Sequence, residues 1–113
     1  MRVKKFHIYV ADLNPRLGTE PGKIRPVVVV QTDMLNHTHP STIVLPVTSN
    51  VIPGTSILRV HLPKEETNLN KDSDIIIDQI RTIDNRRFIK HIGELPAEQK
   101  RKIIENLNII LLE

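Results

Sequence analysis

Arg25 stands directly before Pro26, where a loop rich in glycine, proline and charge gives way to an unbroken run of valines. A guanidinium is always charged in proteins, and its planar fork matches the oxygens of a phosphate or carboxylate. The proline behind it keeps Arg25 extended, which helps to fix the direction of the side chain. On pattern alone two readings stay open: an anion-binding arginine, or a surface ion-pair partner beside a strand. Thr48 follows Pro46-Val47 and precedes Ser49. Either hydroxyl can donate to an anionic oxygen, or bond its own backbone as turn hydroxyls commonly do. Asp78, Arg81 and Asp84 fall together in DQIRTID, and Glu20 lies in the glycine-containing loop. His37, His39 and His61 have pKa values suited to proton transfer, but no motif surrounds them. A pair of histidines two apart, without a placed third ligand, is not a metal site, so neither metal nor cofactor is expected.

The elements that must position these groups follow from composition and pattern. A chain of 113 residues has room for one core, so residues 1–113 are read as a single domain. Hydrophobic residues at 39% and charged residues at 26% fit a soluble globular chain. The only aromatics are Phe6, Tyr9 and Phe88, so the core must be built from Ile, Val and Leu, which suits strands. A net charge of +3 and a pI near 9.5 permit a phosphate-bearing partner without demanding one. There are no cysteines, which excludes disulfides, thiolate zinc sites and cysteine nucleophiles. The N-terminal apolar stretch is too short and broken for a signal peptide, and no run approaches the roughly 20 apolar residues that span a bilayer. A cytoplasmic protein without membrane association is expected.

Alternation predicts a strand over 5–13, stopped by Asn14-Pro15. A loop follows over 14–24, with Gly18 and Gly22 as flexible points and Pro15 and Pro21 as stiff ones. Residues 26–31, PVVVVQ, are apolar on both faces and predict a central strand. Residues 32–39 read as a turn or short helical piece. Residues 41–47 predict a strand in which Pro46 requires an edge, a bulge or a strand end. Residues 56–62 and 74–83 predict two more strands, separated by a polar loop at 63–73. Asp84 to Arg87 reads as a basic turn, and 88–92 can add a short strand. Ile103, Ile104, Leu107, Ile110 and Leu111 make one apolar helical face, so residues 96–112 predict a helix with Pro96 at its start. The sum is six or seven short antiparallel strands and one C-terminal helix, a mainly β fold in which the helix covers a bent sheet or barrel.

Three segments in this order, YVADLNPRLGTEPGKIRPVVVVQTD (9–33), VLPVTSN (44–50) and DQIRTID (78–84), resemble the MazF/PemK family of toxins from bacterial type II toxin–antitoxin modules. The resemblance covers nearly the whole chain. It implies a small SH3-like barrel of the CcdB/Kid/MazF type and a homodimer. It also implies sequence-specific, metal-independent cleavage of single-stranded RNA, leaving 2′,3′-cyclic phosphate and 5′-hydroxyl ends, and a cognate antitoxin with a disordered inhibitory tail. Arg25 and Thr48 match the family's two catalytic positions, and Ser49 can share the role of Thr48. Asp78 matches an acidic position that some relatives use. Ile76 replaces the arginine that those relatives carry two residues earlier, which counts against an Asp-plus-Arg mechanism here. Glu20 is a further candidate proton carrier. Arg81 is read either as a phosphate contact or as a brace through Asp84, and Arg86, Arg87 and Lys90 as a solvated face or an RNA contact. With so few aromatics, bases must be read mainly by hydrogen bonds, from residues such as Glu20, Lys23 and Asn36, with loops 14–24 and 49–56 along the groove. The rival function within the same fold is a non-catalytic toxin that binds a protein such as DNA gyrase through its helix end. A second rival is a non-catalytic regulator that binds RNA or an antitoxin promoter complex.

Overall fold

A computed structural model describes residues 1–15, 17–20 and 22–113. Arg16 and Pro21, both inside the 14–24 loop, lie outside the described residues. Among the described residues seven strands form one antiparallel sheet: β1 (His7–Asp12), β2 (Ile24–Val29), β3 (Ser41–Thr48), β4 (Arg59–Leu62), β5 (Ser73–Ile76), β6 (Arg81–Asp84) and β7 (Phe88–Glu94). The strand order is β4-β5-β3-β2-β1-β7, with β6 also on β3. One helix, α1 (Ala97–Leu112), follows. Among the described residues no helix is long and apolar enough to cross a membrane.

The valine run is central, as its two apolar faces require. β2 lies between β1 and β3, and its side chains alternate between two cores. Val28 joins Ile8, Leu45, Ile75, Ile77 and Ile103 on one side, while Val27 and Val29 join Tyr9, Leu13, Val44 and Ile83 on the other. The helix closes the first core through Ile103, with Leu107 and Ile110 packed against it. Ile104 and Leu111 fall outside that contact and stay exposed, so the buried stripe is narrower than the apolar pattern predicts.

Two strands differ from their expected limits. The β-prone run 74–83 is broken by a 3₁₀ turn at Ile77–Gln79 into β5 and β6. β5 pairs with Val47 and Thr48 of β3, whereas β6 pairs with Ser41 to Val44. The chain must therefore step along β3 between the two pairings, and Ile77, fully buried, anchors the step. Pro46 sits in that gap. The amide and carbonyl of Ile43 both face β2, so alternation turns the nitrogen of Pro46 to the other side, where neither β5 nor β6 pairs with it. A missing donor costs nothing there. β4 starts at Arg59, not Ser56, because Ile57 and Leu58 are exposed and outside the ladder.

His7 and His91 face each other across β1 and β7 with Nδ1 to Nε2 at 2.9 Å. That bond needs one ring neutral to accept. Burial holds His7 below its ordinary pKa of 6.5, opposed by the charge of Glu94. The unfolded chain therefore takes up this proton at higher pH than the folded one, and stability drops as pH falls through about 6.5. The melting temperature is expected to fall between about pH 7.5 and about pH 5.5, and His7→Gln to flatten that slope. Equal slopes in thermal scans of the two proteins would exclude this origin.

Candidate functional site

The ladder between β2 and β3 stops short. It pairs Val27, Val28 and Val29 with Pro46, Leu45 and Val44. The amide of Val30 donates to Ile43 on β3, while the carbonyl of Val29 accepts from Phe6 on the other side. By alternation the nitrogen of residue 26 also faces β3, and Pro26 has no hydrogen there to continue the ladder. The same register carried two residues further sets Arg25 opposite Thr48. β3 meanwhile turns to pair Val47 and Thr48 with Ile75 and Asp74 of β5. The strands part, and an open groove of about 640 Å³ forms between them.

Besides Val10 of β1, four segments of the described residues line the groove: Lys23 to Pro26, Val47 to Asn50, residues 68–71 with Ser73 at the start of β5, and Lys90 with Ile92 on β7. Asn68 donates to the carbonyl of Ile92 at 2.9 Å and ties the third wall to the fourth. The described lining residues include Arg25, Lys23, Lys71 and Lys90, and no carboxylate. Such a cleft concentrates positive potential and favours an anion with several charges. Hydroxyls of Thr48, Ser49 and Ser73 and the amides of Asn50, Asn68 and Asn70 complete the lining.

Arg25 is half-buried, and its Nε donates to the carbonyl of Gly22 at 2.7 Å, which sets the plane of the fork. Lys23 is held at φ 68°, a left-handed conformation costly for a side chain with a Cβ. Its amide donates to Asn14 Oδ1 at 2.8 Å, and its carbonyl accepts from Leu13 at 2.9 Å. Thr48 Oγ1 accepts from the amide of Asn50 at 3.1 Å. The turn hydroxyl and the anion donor are thus compatible readings, since an accepting hydroxyl oxygen still has its own proton to give.

The other sequence candidates lie elsewhere. Asp78 is exposed on the 3₁₀ turn against α1, Arg81 pairs with Val44 on β6, and Glu20 remains in the loop; none lines the groove. Asn36 is buried and committed, bonding Gln31 and Asp33 within 3.0 Å, so it braces the 32–39 turn and reads no base. The basic cluster divides. Lys90 enters the groove, Arg86 pairs with Asp84, and Arg87 donates to the carbonyls of Asp12 and Asn14. The hydrogen bonds of Arg86 hold the Asp84 carboxyl down at about 2. Among the described residues no group of three or more His, Asp or Glu is placed to hold a metal. Lys71, Asn68 and Asn70 carried no sequence signal, since they sit in a polar loop that only the β4–β5 hairpin brings to the groove.

Residues 4–111 match the family model of the PemK-like, MazF-like toxin of type II toxin–antitoxin systems. The chain is 37% identical over 111 residues to endoribonuclease EndoA of Bacillus subtilis, covering 98% of this chain and 96% of that one. The crystal structure of MazF from Deinococcus radiodurans superposes with a TM-score of 0.83 at 25% identity, over 98% of this chain and 97% of the other. Mycobacterium tuberculosis toxin MazF-mt6 shares the fold, with a TM-score of 0.76 at 24% identity, covering 91% and 93%.

Arg87 holds both carbonyls at the entry to the 14–24 loop, so Arg87→Ala is expected to cost about 1–3 kcal/mol. It should also speed hydrogen exchange at the amides of Leu13 and Lys23. Unchanged melting and unchanged exchange would show that the loop is held by other means.

Proposed function

This chain belongs to the PemK-like, MazF-like toxin family of type II toxin–antitoxin systems, and from that premise we propose that it is an endoribonuclease whose groove between β2 and β3 cuts single-stranded RNA. The observation that supports the site is the lining itself: Arg25 opposite Thr48, three lysines and, among the described lining residues, no acid. RNA brings its own nucleophile, the 2′-hydroxyl. Its attack on the adjacent phosphorus expels the 5′-oxygen of the next nucleotide and leaves a 2′,3′-cyclic phosphate and a 5′-hydroxyl. Negative charge builds on the non-bridging oxygens during the attack, and preorganised donors lower that barrier. Arg25 meets those oxygens with its fork and Thr48 with its hydroxyl proton. Arginine, with a pKa above about 12, does not accept the proton. Among the described lining residues there is no carboxylate or imidazole to carry it, so solvent water takes the 2′-hydroxyl proton and supplies one to the leaving 5′-oxygen. Lys23, Lys71 and Lys90 hold flanking phosphates, and Asn50, Asn68 and Asn70 present amide edges to unpaired bases.

The toxin acts as a homodimer in the cytoplasm, where it lowers translation by cutting messenger RNA. A cognate antitoxin silences it by laying a disordered, acidic tail along the same cationic groove. The gyrase-binding alternative gains nothing from a cationic groove remote from the helix end, and it is not favoured.

Purified protein incubated with a long single-stranded RNA in EDTA is expected to yield fragments with 5′-hydroxyl ends. Intact RNA in the presence of folded protein would end the nuclease reading. Arg25→Ala should lower the cleavage rate by about 10²–10³ while melting near the parent temperature; a variant that cuts at the parental rate removes Arg25 from the site. Lys71→Gln is expected to raise KM more than it lowers kcat. It should also reduce the salt dependence of RNA binding by roughly 0.7 in the log–log slope, and an unaltered slope would place Lys71 off the RNA path.

A further inference from the structure

Among the described residues Asp74 is the one charged side chain that is fully buried. A carboxylate in that position is costly unless its oxygens are satisfied. Asp74 Oδ2 accepts from the amide of Ile52 at 2.9 Å and from Arg59 Nη1 at 3.2 Å, and His61 Nδ1 stands 3.4 Å from Oδ1. The same Arg59 nitrogen donates to the carbonyl of Asn50 at 2.8 Å. Asn50 in turn donates its amide to Thr48 Oγ1. Asp74 is also the register partner of Thr48 across β3 and β5.

These bonds grip three alternate residues of the segment that leaves β3: Thr48 at its hydroxyl, Asn50 at its carbonyl and Ile52 at its amide. Without them residues 49–57 have no strand pairing to hold them, since the contact with the β5 side begins at the Leu58 carbonyl, which accepts from Ile77, and β4 begins at Arg59. We propose that Asp74 and Arg59 are a positioning pair that fixes the hydroxyl of Thr48 toward the groove. Neither side chain lines the groove, so neither touches RNA. Their effect runs through Asn50, whose amide occupies an acceptor site of the Thr48 oxygen and so confines where its proton can point. The inference rests on Thr48 contacting the scissile phosphate. It assigns buried charge to catalysis at a position where an apolar pair would stabilise the strand equally well.

The test compares steady-state cleavage of one RNA by Arg59→Gln, by Asp74→Asn and by the double variant, which leaves no buried charge unpaired and so keeps the comparison if a single variant folds poorly. Expected is a fall in kcat of about 10- to 100-fold with KM within about twofold. Both bonds of Arg59 come from one nitrogen, so an ammonium can replace them, and Arg59→Lys is expected to restore most of the rate. In a Thr48→Ala background Arg59→Gln should cost nothing further, because residues acting as a unit are not additive. A folded double variant with parental kcat overturns the proposal. So does an Arg59→Gln loss that is the same with and without the Thr48 hydroxyl. Parent protein that leaves RNA intact instead overturns the nuclease reading, and this inference with it, so the two failures are told apart by the parent lane alone.

Discussion

A proline that cannot donate one hydrogen bond decides where this sheet opens. Pro26 faces β3 at the rung after Val27–Pro46, and without an amide hydrogen that rung keeps only the bond its carbonyl can accept, so the ladder goes no further. From that point β2 and β3 diverge, and the space between them is the groove. Were the ladder to continue, Arg25 and Thr48 would be cross-strand neighbours on a closed surface. Because it stops, they face each other across a gap that can admit a phosphate.

The gap is framed by two strands that are packed into the cores up to its edge. Val27, Val28 and Val29 are fully buried in two different cores. Three identical side chains carry no register information, since a one-residue slip would exchange valine for valine. Register comes from the ends of the run. Pro26 stops the ladder at one end. At the other, the buried Gln31 bonds Asn36, the carbonyl of Ser41 and the amide of Ile43. The two prolines divide the work: Pro26 ends pairing on one side of β3, and Pro46 spans the break between β5 and β6 on the other.

Charge is segregated in the same way. Cations converge on the groove, whereas the acids near it are turned to structural use. Asp12 accepts from the amide of Asn14 at the loop entry, Asp72 accepts from the amide of Lys64, and Asp74 is buried behind the wall. A net charge of +3 looks modest over the chain, yet locally the groove carries four positive side chains without a neutralising carboxylate among its described lining. Mean charge is therefore a poor guide to the field at one cleft, which depends on where the acids go.

Much of the site was legible in the residues. The valine run required a central strand, the helical periodicity over 96–112 required a terminal helix, and the spacing of the three motifs identified the family with Arg25 and Thr48 in it. These are local or pairwise signals, and local patterns survive in a linear string. The break in 74–83 did not show, because a β-prone run reads the same whether it pairs once or turns a corner in the middle. Nor did the separation of Asp78 from the groove, the burial of Asn36, or the arrival of Lys71 and Lys90 beside Arg25. Each of those depends on which strand lies next to which, and side-chain neighbours across a sheet are set by register, not by distance along the chain. The linear chain carried the fold class and the family, and it singled out Arg25 and Thr48, the pair proposed to meet the phosphate. Tertiary structure alone decided the shape and field of the groove and the buried Asp74–Arg59 pair behind it, because only folding places β3, β5 and the polar loop between them against the open end of β2.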